Sequence, residues 1–330
     1  MNLHRRQFIT TAAAAAGAAL LASPGARAQA PANFPDKPVR IVVPFSPGGP
    51  IDQTARILAQ KLQGTWKQSV VVDNRVGASG IIAAENVMQA PADGLTLLFS
   101  VIHHTVLPSM RGNLSYDIVK DFQPLSLAAI YPIIVVVAAD GPHKTLADLV
   151  AHAKAQPGKL TFGHSGTGGG AHLAGELFKL HAKVDLSDVP YKGNGPAIVD
   201  LMGGRLDVVF ADIPSSLPFV QSGRLRALAI ATPERSALLP QLPTAIELGV
   251  PGYVANTWGG LSVRTGTPPA IVTKLNADIV HALKDPETRD RLQKIGAEPV
   301  PQTPRQYADF IQAEMKKWEN LVTRAKLKMN

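Results

Sequence analysis

The chain contains no cysteine, so disulfide bonds, thiolate metal sites and cysteine nucleophiles are all excluded. The same absence removes any cysteine that could carry a lipid anchor behind an export signal. Aromatic residues make up only 5% of the sequence, too few for a surface that stacks on nucleic-acid bases. Outside the amino-terminal segment no run of five or more basic residues occurs, so we expect no nucleic-acid partner.

The remaining composition is that of a globular protein, with 45% hydrophobic and 18% charged residues. A chain of 330 residues is too long for one ordinary core and fits two units of about 150 residues each. The formal net charge of +8 falls to +5 when residues 1–28 are removed, because they hold three arginines and no acid. Such a modest positive field favours anionic solutes.

Residues 1–28 predict an export signal peptide and are kept apart from the fold. Arg5 and Arg6 are followed by an apolar run from Ala12 to Ala22 and by the cleavage-like sequence Ala26-Arg27-Ala28. The apolar run is shorter than the roughly 20 residues of a membrane span. The paired arginines favour a twin-arginine signal, with a general secretory signal as the alternative. Either route predicts a soluble protein in the periplasm.

Strand-like and helix-like segments alternate along the mature chain, which predicts an α/β fold with parallel strands and helices on both faces. The first unit shows strands at 39–43, 70–72 and 95–99, with helices over 51–62 and 81–89 between them. A second unit starts at the apolar run 133–138. Its predicted helices cover 146–155, 171–181, 195–202 and 215–221, and its strands lie at 160–162, 186–189, 206–210 and 225–230. Proline-bounded helices follow over 268–285, 286–296 and 304–328.

The first informative loop joins the strand at 39–43 to a helix, and its candidate site residues are Phe45, Ser46, Gly48, Gly49 and Asp52. Glycines let a backbone adopt positive φ and approach a ligand closely. The following helix offers free N–H groups and the positive end of its dipole, which together bind anions. Asp52 can hold the loop through backbone N–H groups. A tight turn without a ligand is the alternative.

The second loop, residues 163–172, again joins a strand to a helix and offers Ser165, Gly166, Thr167 and Gly168 as ligand contacts. Its match to a dinucleotide fingerprint is weak, since no suitable acidic residue follows at the required distance. The loop also misses the G-x-S-x-G nucleophile motif, because Thr167 takes the place of the last glycine. A secreted α/β hydrolase with Ser165 as nucleophile and His172 as base is therefore only an alternative.

Four further residues are weighed individually. Asn194 either caps a helix that starts at Pro196 or contacts the ligand, and Asp212 either faces the cleft or caps the next helix. On a strand, His103 and His104 would point to opposite faces and could not easily chelate one metal ion. His103 is a candidate cleft residue. No H-E-x-x-H motif is present, so we expect neither a catalytic metal nor a cofactor.

These loops, in this order, resemble the solute-binding receptors of tripartite tricarboxylate transporters, the Bug-type family. The resemblance extends over nearly the whole mature chain. Its matching segments are 34–40, 44–52, 74–80, 116–117, 121–122, 165–176, 191–196, 200–201, 203–204, 227–231, 243–244 with Glu247 and Gly249, 258–259 and 267–268. Ile51, the pair His103-His104 and the triple glycine at 168–170 depart from the usual pattern, and they leave the ligand's identity open.

The resemblance implies a type II periplasmic-binding-protein fold with a ligand cleft between two lobes. Lobe 1 would comprise residues 29–130 and 254–330, and lobe 2 residues 131–253. It implies a monomeric receptor without enzymatic activity that captures a small carboxylate, a dicarboxylate or an aromatic acid, and delivers it to membrane transporter subunits. A ligand sensor for a membrane signalling protein would use the same cleft and stays an alternative.

Family members bind carboxylates through main-chain amides and ordered water. Carried over position by position, the resemblance places the ligand at Phe45, Ser46, Gly48, Gly49, Asp52, Ala78, Ser79, Ser165, Gly168 and Asp212. The neighbouring Gly80, His103, Gly166, Thr167 and Asn194 complete the expected ligand-binding set. Trp258, near the expected return to lobe 1, would pack either on an aromatic ligand or in the core.

Overall fold

The computed structural model describes residues 33–191 and 193–327. The expected export signal, residues 1–28, lies outside the described residues. Within the described ranges, ten strands and ten α-helices alternate in a mixed α/β arrangement. None of the helices described there is both long and apolar enough to cross a bilayer.

The first sheet is built on three parallel strands, β1 (Val39–Val43), β2 (Val70–Asn74) and β3 (Thr96–Val101). Strand β9 (Asn256–Arg264) runs antiparallel beside β3. Four of the five β1 side chains are fully buried, because helices cover both faces of the central strands. This double burial explains why β1 appears in the sequence as a continuous apolar run.

One long strand, β4 (Phe122–Ala138), belongs to both sheets. Its first part pairs with β9 as far as Pro132, and from Ile133 onward it pairs with β7 (Val208–Asp212) and β8 (Leu225–Ile230). Both sheets are therefore mixed rather than parallel throughout, because β4 and β9 run antiparallel to their neighbours. Beside β7 lie the parallel strands β5 (Thr161–His164) and β6 (Ser187–Pro190), and the short β10 (Glu298–Pro299) pairs with β4 in the first sheet.

Ten helices connect and cover the strands. Their bounds are α1 (Pro50–Trp66), α2 (Ile81–Met88), α3 (Ile102–Met110), α4 (Leu146–Ala155), α5 (Gly170–Ala182), α6 (Asn194–Met202), α7 (Ile213–Gln221), α8 (Pro269–Lys284), α9 (Pro286–Lys294) and α10 (Pro304–Ala325). Proline is the first residue of α1, α8, α9 and α10, where its missing N–H costs no hydrogen bond. Helix α10 buries Tyr307, Ile311 and Trp318.

Three elements were missing from the expected set, namely helix α3, strand β9 and the two-residue strand β10, and the first two have a local reason. Helix α3 starts directly after β3, without a turn, and contains Pro108, which normally disfavours a helix interior. Strand β9 contains Gly259 and Gly260, which weaken a strand signal. Both glycines are required by packing, because a Cβ atom would overlap the ring of Phe99 at Gly259 and that of Tyr307 at Gly260.

Candidate functional site

A cavity of about 460 Å³ lies between the two sheets and is lined by residues from both. Most of its wall comes from segments that follow the parallel strands β1, β3, β5, β6 and β7. Because their carboxyl ends converge, the loops after them meet at one place. The described lining residues are Phe45, Ser46, Pro47, Gly49, Pro50, Ile51, Val101, Ile102, His103, Tyr131, Ser165, Gly193, Asn194, Gly195, Asp212, Ser215, Thr257 and Trp258.

The fifteen residues expected at the site separate into two groups. Seven line the cavity, namely Phe45, Ser46, Gly49, His103, Ser165, Asn194 and Asp212. Eight do not line it, namely Gly48, Asp52, Ala78, Ser79, Gly80, Gly166, Thr167 and Gly168. The contacts of the second group show that most of them shape the loops that carry the first.

The first loop is held from behind by Asp52. Its carboxylate accepts hydrogen bonds from the Gly48 backbone N–H at 2.8 Å, from Arg56 Nε at 2.8 Å and from Asn74 Nδ2 at 2.8 Å. Asn74 Nδ2 also donates to the Phe45 carbonyl at 2.8 Å. Gly48 has φ of +92°, so the loop needs a glycine there.

The charge of Asp52 is neutralised locally. Burial acts to raise the pKa of this carboxyl, but hydrogen bonds from Arg56, Gly48 and Asn74 outweigh it and hold the pKa below 3.8. Arg56 lies one turn further along α1 and pairs with the carboxylate through both Nε and Nη2. The ion pair therefore fixes the loop without leaving an unpaired negative charge beside the cavity.

His104 holds residues 78–80 in place. These residues form a short 3₁₀ turn with positive φ at Ala78, Ser79 and Gly80. The His104 Nδ1 atom accepts a hydrogen bond from the Val101 N–H at 3.0 Å. The ring proton of the neutral imidazole must then be on Nε2, which donates to the Gly80 carbonyl at 3.2 Å.

The two adjacent histidines do not lie on a strand, since β3 ends at Val101 and both belong to the first turn of α3. His103 lines the cavity with its ring 5.3 Å from that of Phe45, whereas His104 is fully buried. Burial lowers the pKa of His104 to about 4. Burial and the neighbouring His104 lower the pKa of His103 to about 4 as well. At neutral pH His103 is thus an uncharged polar group.

In the second loop only Ser165 lines the cavity, and Thr167 is exposed. The Gly166 N–H donates to His164 Nδ1 at 3.2 Å, and the Gly168 N–H donates to His172 Nδ1 at 3.3 Å. Two of the amides that the glycine-rich sequence suggested for a ligand are therefore engaged by histidines. The Ser165 hydroxyl forms no hydrogen bond with His172 within residues 33–191 and 193–327, so the nucleophile–base contact of a hydrolase is not formed there.

Asp212, the last residue of β7, lines the cavity from the second sheet and is the N-cap of α7. Its carboxylate accepts hydrogen bonds from the Ser215 N–H and from Asn194 Nδ2, each at 2.9 Å. Burial raises the pKa of Asp212 above 3.8 despite these bonds. Asn194 is the first residue of α6 and Gly193 is its N-cap. Of the two alternatives for Asn194, capping a helix that starts at Pro196 is not found, because α6 already begins at Asn194 with Gly193, at φ of +120°, as its N-cap. Contact of Asn194 with a ligand stays a prediction.

Where the chain crosses between the sheets, sequence reasoning named Trp258 as a residue of the ligand site or the core but missed Tyr131 and Thr257. Tyr131 on β4 lines the cavity, and its hydroxyl donates to Thr54 Oγ1 at 2.7 Å. Thr257 and Trp258 on β9 line it from the opposite strand. Trp258 is fully buried and donates to Glu314 at 2.9 Å, so it belongs to the core and to the cavity wall at once.

The cavity's electrostatics come from the backbone more than from side chains. Among its described lining residues Asp212 is the one acid, and no lysine or arginine is among them. Four helices begin at the wall, α1, α3, α6 and α7. Each helix start carries a partial positive charge, worth roughly 0.3–1 kcal/mol to a nearby anion, and leaves first-turn N–H groups without helical partners. At α7 the Asp212 carboxylate already accepts one of them, the Ser215 N–H. The arrangement is suited to hold a small anion.

Comparison with known proteins identifies the family. Residues 54–327 match the model of the tripartite tricarboxylate transporter family receptor. The chain is 38% identical over 300 residues to the protein BugT of Bordetella pertussis, covering 90% of this chain and 92% of that one. The family is one of solute-binding receptors, not enzymes, and this finding removes the hydrolase alternative.

Solved structures agree with this result and confirm the predicted periplasmic-binding-protein fold. The Rhodopseudomonas palustris protein Rpa4515, solved with adipate, is 36% identical with a TM-score of 0.82 over 89% of this chain and 99% of that one. MatC of the same organism, with bound malate, is 34% identical with a TM-score of 0.78 over 88% and 100% of the two chains. The periplasmic binding protein BugD is 30% identical with a TM-score of 0.80 over 90% and 100%. This chain belongs to the tripartite tricarboxylate transporter receptor family, of the Bug type.

Proposed function

We propose that this receptor captures a small carboxylate, a dicarboxylate or an aromatic acid, in the cavity between the two sheets. The observation that carries the proposal is the convergence of four helix starts on a cavity whose described lining includes no lysine or arginine. A carboxylate held there would accept hydrogen bonds from backbone N–H groups near Gly49 and from Ser46 and Ser165. Helix dipoles would supply the positive potential that a cationic side chain supplies elsewhere.

The wall also offers a surface for the carbon skeleton of the acid. Phe45, Val101 and Ile102 contribute apolar atoms beside the helix starts. The volume of about 460 Å³ lies in the range of small-molecule sites. Adipate and malate in the similar structures are both small dicarboxylates, which supports the same class of ligand here.

The seven lining residues of the expected set are proposed as direct contacts. Of the remaining eight, all but Thr167 are proposed to act indirectly. Asp52 and Gly48 fix the first loop, Gly80 ties the 3₁₀ turn at 78–80 to His104 at the start of α3, and Gly166 and Gly168 shape the second loop through His164 and His172. Thr167, which is exposed, is proposed to contact a ligand only if the lobes close further.

Capture is proposed to occur between two lobes, residues 29–130 with 254–330 and residues 131–253. The strand pairing supports this division, because β4 changes sheets between Pro132 and Ile133 and β9 begins at Asn256. In this proposal the receptor is a monomer, reaches the periplasm through the signal at 1–28 and delivers its ligand to the membrane subunits of a tripartite transporter.

A thermal-shift and calorimetry panel tests the ligand class. It contains adipate, malate, succinate and benzoate, with a neutral sugar as control. At a hundredfold excess over Kd, a ligand that binds only the folded state stabilises it by about 2.7 kcal/mol. We expect at least one acid to raise the melting temperature and the sugar to leave it unchanged. A shift with the sugar and with no acid would refute the carboxylate assignment.

A further inference from the structure

One part of the cavity wall has hydrogen-bond acceptors but no free side-chain donor. It lies on the side of the second sheet and consists of Asn194, Asp212 and Ser215, which we call the acceptor wall. Asp212 is the one acid among the described lining residues and is 9% exposed. It ends β7, so its carboxylate lies at the carboxyl end of a strand, where ligands of α/β sheets bind.

The side-chain protons of the acceptor wall are all used within it. The Ser215 hydroxyl donates to Asp212 Oδ1 at 2.5 Å, and the Ser215 N–H donates to the same oxygen at 2.9 Å. Asn194 Nδ2 donates to Asp212 Oδ2 at 2.9 Å and lies 3.4 Å from Ser215 Oγ. A hydroxyl has one proton and a primary amide has two, so no side-chain proton is left here for a ligand.

Acceptor capacity remains on the same residues. An ionised carboxylate accepts at about four positions, and in Asp212 two are filled on Oδ1 but only one on Oδ2. The free position is therefore on Oδ2. Asn194 Oδ1 is buried and has no hydrogen-bond partner within residues 33–191 and 193–327. Turning this amide over would point Oδ1 at the Asp212 carboxylate, so the orientation found is the favourable one.

The start of α7 does not compensate for this shortage of donors. Its first residue is Ile213, its second is Pro214, which has no N–H, and its third is Ser215, whose N–H donates to Asp212. The Asp212 carboxylate also places a negative charge at the positive end of this helix. A ligand anion therefore gains less beside α7 than at the start of α1, where no described lining residue is an acid.

We propose that the captured acid also carries a hydroxyl or amino group, which donates to Asp212 Oδ2; this rests on the proposed capture of its carboxylate at the start of α1. A second carboxylate does not suit this position, because an ionised carboxylate only accepts hydrogen bonds and like charges repel. It is allowed where it does not face Asp212, as in malate, a dicarboxylate that also carries a hydroxyl.

The acceptor wall thereby selects among small acids. An acid without a donor displaces water from this wall and leaves Asp212 Oδ2 with an unfilled position, and buried groups without partners are costly. A site built to hydrogen-bond a hydroxyl or amino group rejects the analogue that lacks it. We expect a preference of at least about tenfold for the acid that carries the donor.

The test is calorimetric titration of the full chain with acids that differ only in the donor. The sets are succinate with malate, hexanoate with 6-hydroxyhexanoate and 6-aminohexanoate, and benzoate with 3-hydroxybenzoate and 4-hydroxybenzoate. The methoxybenzoates keep the added oxygen but lack its proton. Within the set that binds, the acid with the donor should bind at least about tenfold more tightly than the unsubstituted acid, and a methoxy group should not replace the hydroxyl.

Asp212→Asn separates this role from a structural one. Asparagine caps a helix as well as aspartate does, so the variant should fold, but its amide nitrogen takes the place of the accepting Oδ2. The preference for the donor-bearing acid should fall to about threefold or less, while the unsubstituted acid binds as before. Damage to the fold would instead weaken both acids alike. Asp200→Asn is the matched control, because Asp200 lies on α6, pairs with Arg205 and does not line the cavity.

Two results would overturn the proposal and leave the carboxylate capture standing. The first is binding of acids with no preference for the donor, or with succinate bound more tightly than malate, which would show that this wall donates to the ligand. The second is a preference that is unchanged in Asp212→Asn. Failure of every acid to bind would refute the carboxylate capture itself, and the present proposal with it.

Discussion

Replacing Gly49 by valine tests the first loop with little effect on the fold. Gly49 is the N-cap of α1, with φ of −75° and ψ of 168°, a conformation that valine adopts readily. A Cβ atom there would come no closer than 4.0 Å to the Ser46 carbonyl oxygen. Because Gly49 lines the cavity, the added side chain would extend into space that a bound carboxylate needs.

The two effects of Gly49→Val differ in size. Replacing a good N-cap residue with an aliphatic one costs about 1 kcal/mol of folding stability. A hydrogen bond to a charged group contributes roughly 1.5–3 kcal/mol. Losing two amide contacts at the lower value removes about 3 kcal/mol, which corresponds to a rise in Kd of about a hundredfold. Affinity should thus fall far more than stability.

The assay is calorimetric titration with the acid that binds the parent protein, beside thermal unfolding without ligand. Gly64→Val is the matched control, since Gly64 lies near the other end of α1 and an added Cβ there meets nothing within 4 Å. The control should bind like the parent. Parent-like affinity in Gly49→Val would refute a carboxylate seated at the start of α1. Gly168 is less suited to such a test, because its φ of +77° makes any side chain strained.

Three further predictions concern the supports of the site. Asp52→Ala should destabilise the protein by about 1–3 kcal/mol and weaken acid binding, because the Gly48 N–H, Arg56 and Asn74 lose the carboxylate acceptor that they share, whereas removal of the exposed Asp309 carboxylate should change neither. As pH falls from 6.5 towards 4, His104 takes up a proton in the unfolded state but not in the folded state, so the free energy of unfolding should fall by at most about 1.4 kcal/mol per pH unit. Denaturant titrations at several pH values should show that the free energy of unfolding depends less steeply on pH in His104→Asn. Acid binding should change the tryptophan fluorescence, and Trp258→Phe should abolish that change while Trp66→Phe keeps it.

Local sequence patterns predicted the parallel strands and their helices well. The strand at 39–43 and the helix at 146–155 have the expected bounds in the structure. Their signals are local, since a buried parallel strand needs an apolar run and a surface helix needs a periodic one. The loops after the parallel strands followed from the same reasoning, and seven of their residues meet at the cavity.

The crossing between the sheets was not predictable from local patterns. Tyr131 and Thr257 reach the cavity because β4 pairs with β9 at that point, and those residues are far apart in the sequence. Asp52 was expected to hold its loop through backbone N–H groups, and it accepts from the Gly48 N–H, but the roles of His164 and His172 were equally hidden. Each acts by binding a loop amide, and this depends on side-chain placement that composition and spacing do not specify.

The central claim is that backbone N–H groups at helix starts, with no lysine or arginine among the described lining residues, hold the ligand's carboxylate. A crystal structure of the protein with a bound dicarboxylate measures this directly. We predict a carboxylate oxygen within about 2.7–3.2 Å of backbone nitrogens at the start of α1, beside Gly49. A carboxylate paired instead with a lysine or arginine side chain, or a ligand bound outside the cavity, would contradict the account.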